Sequence, residues 1–215
     1  MGPLLAVLAG FAVVAGLLAW SRWLAGRRWA AAGHLLLGAA LGLAVGGGWT
    51  LARYLQTYAV RVPERPVAET YFERLGPGRF RVAVTHLPSG RMQVVDLTGA
   101  EWRLELHLLD WTDGAAHLGA RPRYRIEAVS SRSAPSTAGG LSLGGTARLT
   151  DADPPAPWLA GLGTSRDRPL LATRPLSGPW LPMAHGARFD ARLDAAGAVV
   201  IDPRNGPADD ALAAR

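Results

Sequence analysis

The chain has 215 residues, 23 arginines, no lysine, 17 acidic residues and no cysteine, for a net charge of +6. Apolar residues make up 49%, but unevenly: positions 3–20 hold no charge, and positions 30–52 hold only His34 as an ionisable group. On this reading the chain is not a wholly soluble cytosolic protein, a disordered chain, a disulfide-stapled domain or a cysteine-liganded metal protein.

Pro3–Trp20 is an 18-residue apolar run, about 27 Å as a helix and enough to cross a hydrocarbon core. It has neither a basic leader nor a clear small-x-small cleavage site, so it reads as a span and not as a signal peptide. Ala30–Ala52 is a second span of 23 residues, long enough to tilt. Trp20, Trp23, Trp29, Trp49 and Tyr54 gather at the ends of the two runs, as an aromatic belt does. The link Ser21–Trp29 carries Arg22, Arg27 and Arg28 and no acid. The positive-inside rule therefore puts the link in the cytoplasm and both termini outside. Arg53, Arg61 and Arg65 follow the second span, but long translocated domains obey the rule weakly.

Gly38, Gly42 and Gly46 repeat every fourth residue of the second span and predict a helix-packing face, matched by Ala12 and Gly16 on the first. On this expectation Val45 lies off the face. His34 reads as an interfacial or helix-packing residue.

After Tyr58 the pattern alternates. Trp102, Leu104, Leu106 and Leu108 oppose Glu101, Arg103, Glu105 and His107. Tyr124, Ile126 and Ala128 oppose Arg123, Arg125 and Glu127, and Ala187, Phe189, Ala191 and Leu193 oppose Arg188, Asp190, Arg192 and Asp194. Period two with a charged outer side predicts antiparallel sheet covered on one face. Strands are also expected at 67–75, 79–87, 91–97 and 198–201. The short Gly and Pro links at 76–78, 88–90 and 98–100 make 67–111 a four-stranded meander. Cross-strand Arg–Glu pairs are expected on the outer faces, with Arg103 and Glu105 exposed. Positions 130–147 read as a loop. Positions 151–182, rich in proline, read as irregular chain with short helical turns near Trp158–Leu162, packed by Trp158 and Trp180.

The fold class is therefore a membrane-anchored α+β chain: a two-helix transmembrane hairpin (1–58, spans about 3–20 and 30–52), a mainly antiparallel β domain (59–202) and a flexible tail (203–215). Gly140–Gly144 spells G-x-S-x-G but lacks the strand and helix that a nucleophile elbow needs. His86, His107, His117 and His185 have no metal-ligand spacing. Asp151 and Asp153 read as a turn or cap, and Asp110 and Asp113 as a loop after a strand. No catalytic, cofactor-binding or metal residue is expected, and no cofactor. Residues 61–215 carry a net charge of only +2, so the basic character belongs to the membrane edges and nucleic acid is not a partner. The expected partners are the lipid bilayer and a membrane or envelope protein, with a homo-oligomer permitted by the glycine face.

Four stretches, Val67–Val82, Glu101–Trp111, Arg123–Ala128 and Leu181–Phe189, resemble a family of small bacterial inner-membrane proteins with two spans and one outer domain. Such proteins are catalogued as multidrug transporter or cation/multidrug efflux pump proteins. The resemblance implies a place in a transport system and brings no catalytic residues. Two helices enclose no polar path, and neither span carries the acid of a proton-coupled exporter. The reading of the residues themselves is a non-enzymatic envelope accessory or scaffold at the inner membrane, with its C-terminal domain in the periplasm.

Overall fold

The computed structural model describes residues 2–111, 120–133, 143–150 and 171–214. It has two compact units, Met1–Thr57 and Tyr58–Arg215. The first unit is a pair of helices, α1 (Gly2–Leu24) and α2 (Arg28–Gln56). Both are long and apolar enough to cross a membrane. The second unit is built of antiparallel strands: β1 (Ala59–Val60), β2 (Pro66–Gly76), β3 (Arg79–His86), β4 (Arg91–Thr98), β5 (Glu101–Trp111), β6 (Arg123–Arg132), β7 (Leu143–Arg148), β8 (Leu171–Ser177), β9 (Leu181–Pro182), β10 (Arg188–Leu193) and β11 (Val199–Pro203). A short helix, α3 (Gly206–Ala213), follows them.

The strands form two sheets. One has the order β11-β10-β2-β3-β4; the other runs β1-β6-β5-β8, with β7 also on β6 and β9 also on β5. Their inner faces share one core. Trp102 of β5 is fully buried and its ring centroid lies 4.9 Å from Phe72 and 5.6 Å from Phe189, both of the opposite sheet. The period-two pattern is the cause: Trp102, Leu104, Leu106 and Leu108 are all buried, as are Phe80, Val82 and Val84.

The expected meander of four strands is one of three. β2, β3 and β4 follow one another in one sheet, and β5 leaves it for the other. The crossing is at Gly99, whose φ is 148°. Its own N–H still donates to Gly78 at 2.8 Å, while the next N–H, of Ala100, donates to Arg132 of β6 at 2.9 Å. One residue thus hands the chain from sheet to sheet. Crossing lets the apolar faces of β3 and β5 meet across the core, which neighbours in one sheet cannot do.

Three further expectations change. A register shift opposite Glu105 and Leu106 makes Glu127 an extra residue in β6. Val129 therefore pairs with Leu104 and takes the inward place, while Ala128 pairs with Glu105 on the outer side. The loop at 130–147 and the proline segment both yield strands: Ser130–Arg132 completes β6, and β7, β8 and β9 follow. Pro175 is tolerated because β8 is an edge strand. The supposed turns at Trp158–Leu162 lie outside the described residues. The tail expected to be flexible instead forms α3. Asn205 caps it, accepting from the N–H of Ala208 at 3.3 Å, with Pro207 and Asp209 in its first turn. Asn205 also accepts from the Arg188 N–H at 3.0 Å and donates to the Gly186 carbonyl at 2.8 Å, which ties the helix to β10.

Candidate interaction surfaces

The turn between α1 and α2 is a Schellman motif. Gly26, at φ 72°, donates to the Trp23 carbonyl, and Arg27 donates to the Arg22 carbonyl, both at 3.0 Å. Glycine adopts this left-handed conformation without a Cβ penalty. Arg27 is also the N-cap of α2, where its side chain makes no capping bond. The three arginines expected to set topology thus bracket one tight turn: Arg22 in the last turn of α1, Arg27 in the link and Arg28 at the start of α2. Among the described residues none of them has an acidic partner, and Arg27 and Arg28 line an open hollow of about 530 Å³ with Gly26, Trp29 and Ala30.

The helices meet along a line of period 3.5, not 4. On α2, Ala31, His34, Gly38, Leu41, Val45 and Gly48 are buried or half-buried; on α1, Leu5, Leu8, Ala12, Ala15 and Ala19 are. Both series step by three and four residues, the spacing of a left-handed seam. A repeat of four overshoots a 3.6-residue turn by about 40° at each step, so Gly38, Gly42 and Gly46 wind off the seam. A Cβ on Gly38 would lie 3.4 Å from the Ala12 carbonyl oxygen and 3.6 Å from the Ala15 Cβ, whereas one on Gly42 or Gly46 would meet nothing within 4 Å. Gly48, outside the expected set, faces Leu5. Val45, expected off the packing face, lies on the seam. His34 is also on it, its Nδ1 donating to the Ala30 carbonyl at 2.7 Å. Gly38→Leu should therefore part the helices and Gly42→Leu should not. Paired spin labels on α1 and α2 measure this as a distance, and equal effects of the two changes would refute the seam.

The outer face of the six-stranded sheet is a half-buried charged layer. Arg103 and Glu105, expected to be exposed, keep 30% and 27% of their side-chain surface and pair at 2.9 Å. Their pairing runs along one strand, as does that of Arg125 with Glu127, while Arg132 and Glu101 pair across strands. Trp180 covers the layer, its ring centroid 4.6 Å from the Arg103 guanidinium and 4.5 Å from that of Arg132. Ser130 donates to Glu105 at 2.7 Å, so the layer is hydrogen-bonded as well as paired. Burial alone would raise the Glu127 carboxyl. The hydrogen bond and charge of Arg125, with His107, outweigh it and hold the group below its ordinary value. Nδ1 of His107 lies 3.0 Å from Glu127 but off the line of a hydrogen bond.

The other sheet is different outside. Its outer side carries the row Arg188, Tyr71, Ala83, Val94, one residue from each of β10, β2, β3 and β4. Val94 is 51% exposed and Met92 62%, both on β4, the edge strand of this sheet. Among the described residues no further strand pairs with β4 at Met92 and Val94, and an edge beside apolar side chains is a surface on which an extended segment can add.

Val60, Val62, Pro66, Val67, Leu87, Pro88, Arg65 and Tyr124 line a mostly apolar cleft of about 310 Å³ at one end of the core. Burial raises the Tyr124 hydroxyl to about 12. His86, its ring edge-on to Tyr124 at 6.0 Å, is pushed below its ordinary value by burial and by Arg91. Its Nε2 is buried without a partner. The sign follows: an unfolded chain protonates His86 near 6.5, the native one only at lower pH. The contribution of His86 is thus complete above 6.5 and is lost as pH falls from there through the native value. Urea unfolding should show it as a decline in stability that His86→Gln flattens; an unchanged slope in that variant would refute the assignment.

The remaining candidates do not converge. Leu143 and Gly144 begin β7, but Gly140, Leu141 and Ser142 lie outside the described residues, as do His117, Asp113, Asp151, Asp153 and Trp158. His185 accepts from the Arg74 N–H at 3.1 Å, and Asp110 pairs with Arg174 at 3.4 Å. Among the described residues no three His, Asp or Glu gather as a metal site would require. Comparison with protein-family models, curated proteins and solved structures finds no match for this chain.

Proposed function

We propose that this chain is a non-enzymatic bacterial inner-membrane protein that carries its β domain in the periplasm as an accessory or scaffold module for a partner protein. One observation bears most of the weight. Leu4, Phe11, Leu17, Trp20, Leu36 and Leu43 all keep more than half of their surface exposed, on helices with no polar face to turn to water. A bilayer is the solvent such side chains require. The three arginines at the link between the helices support a cytoplasmic link and an outer β domain. The stretch of β4 at Met92 and Val94, which pairs with no second strand among the described residues, supports a protein partner that docks as an extended segment.

A reporter fused after Arg215 tests the topology. An enzyme active only in the periplasm should work there, and a fluorescent protein that matures only in the cytoplasm should stay dark. The reverse pattern would remove the envelope reading. The sequence resemblance favours a second reading, a component of a multidrug or cation efflux system. Two helices then need an oligomer or a larger channel around them, and purification in mild detergent separates the readings. A co-purifying polytopic transporter, or a homo-oligomer that conducts ions in liposomes, would favour transport.

A further inference from the structure

We propose that the α1–α2 turn binds the phosphate of an anionic phospholipid, held by Arg22, Arg27 and Arg28. The inference deepens the membrane reading above and rests on it. In a Schellman motif the third residue from the helix end and the residue after the glycine are brought together, and an apolar contact usually joins them. Here those two positions are Arg22 and Arg27, fixed by the bond from the Arg27 N–H to the Arg22 carbonyl at 3.0 Å. The fold thus puts two arginines at the two backbone positions where an apolar pair is usual, and Arg28 follows directly. No acid precedes Glu64 in the chain, so the first unit has no counter-charge of its own. The two later arginines also stand at the start of α2, where the helix dipole disfavours a cation.

An anion in the hollow lined by Arg27 and Arg28, one turn of chain from Arg22, removes all three conflicts. A phosphate diester suits it, because guanidinium groups grip phosphate oxygens in pairs. A lipid is the favoured source over free phosphate. Trp29, which lines the hollow, is 93% exposed, Trp23 is 63% exposed, and the helix surfaces beyond are apolar. Indole rings settle at headgroup depth, where acyl chains lie on one side and phosphates on the other.

Native mass spectrometry of the full chain in mild detergent tests this, with phosphatidylglycerol and phosphatidylcholine of identical acyl chains. Phosphatidylglycerol should be retained preferentially. At about 1 kcal/mol per basic residue near an anionic surface, each Arg→Gln change should cut the preference about fivefold. Arg22→Gln, Arg27→Gln and Arg28→Gln together should abolish it at unchanged helical circular dichroism, and the triple Arg→Lys variant should restore part of it. Arg53→Gln, at the other end of α2, should leave it intact. Equal retention of both lipids, or a preference that survives the triple Gln change, would overturn the site and leave the membrane reading standing. Displacement of the lipid by excess inorganic phosphate would overturn the choice of a lipid. A chain that holds neither lipid and stays dispersed without detergent would instead overturn the membrane reading itself.

Discussion

Trp102→Ala should cost the β domain about 3–5 kcal/mol, the range for a large aromatic removed from a packed core. The ring is fully buried between Phe72 and Phe189 and joins the two sheets. Its Nε1 has no hydrogen-bond partner, so truncation loses packing alone. Leu104→Ala, two residues on and equally buried, should cost roughly 2–5 kcal/mol. Arg103→Ala, between them, loses a pair that keeps about a third of its surface, and such pairs are worth about 1 kcal/mol or less. Chemical denaturation of the three variants checks the order. A loss for Arg103→Ala equal to that for Leu104→Ala would mean that the charged layer, not the apolar face, holds the sheet.

Gly99→Ala should be nearly as severe for a quite different reason. At φ 148° an L side chain is strained, by roughly 1–3 kcal/mol. A Cβ there would also lie 2.6 Å from the Arg132 carbonyl oxygen, which is backbone and cannot swing aside. That oxygen accepts the Ala100 N–H that starts β5 on β6. Relief of the clash would therefore open the first rung between those strands. The matching change at Gly76, where a Cβ meets nothing within 4 Å, should be tolerated. Thermal melts of both variants decide it, and a Gly99→Ala melt equal to that of Gly76→Ala would exclude a steric role at the crossing.

These two residues also mark what the amino-acid order reveals and what it hides. The inward face of β5 is legible because alternation at period two is a local property, and each apolar residue carries its own preference for burial. The departure of β5 to the second sheet is not local. It depends on which backbone captures the Ala100 N–H, and a Thr-Gly-Ala link looks the same whether the next strand pairs with the last or crosses the core. The extra residue at Glu127 is silent for the same reason, since a bulge is defined by the partner strand. The glycines of α2 fail differently. The spacing of four in Gly38, Gly42 and Gly46 is plain, but which of them meets α1 depends on the phase of both helices, and of these three Gly38 alone is in phase. The arginines of the turn were legible as charge, whereas their gathering at one Schellman motif required the backbone. The capping signals of α3, Asn205, Pro207 and Asp209, are visible in the chain and outweigh the composition of the tail.

The shortest strand has a mechanical meaning. β1 meets β6 through only two residue pairs, Ala59 with Tyr124 and Val60 with Arg123. Around them the Arg61 N–H donates to the Pro122 carbonyl, the Arg61 guanidinium to the carbonyls of Asp194 and Ala195, and Arg125 covers the Tyr58 ring at 4.7 Å. Any pull along the chain from α2 reaches the sandwich here first. The load meets this two-rung pairing and the contacts around it before the long pairings of β5 with β6. Under tension β1 should therefore be the first pairing to open, ahead of the long strands around Trp102.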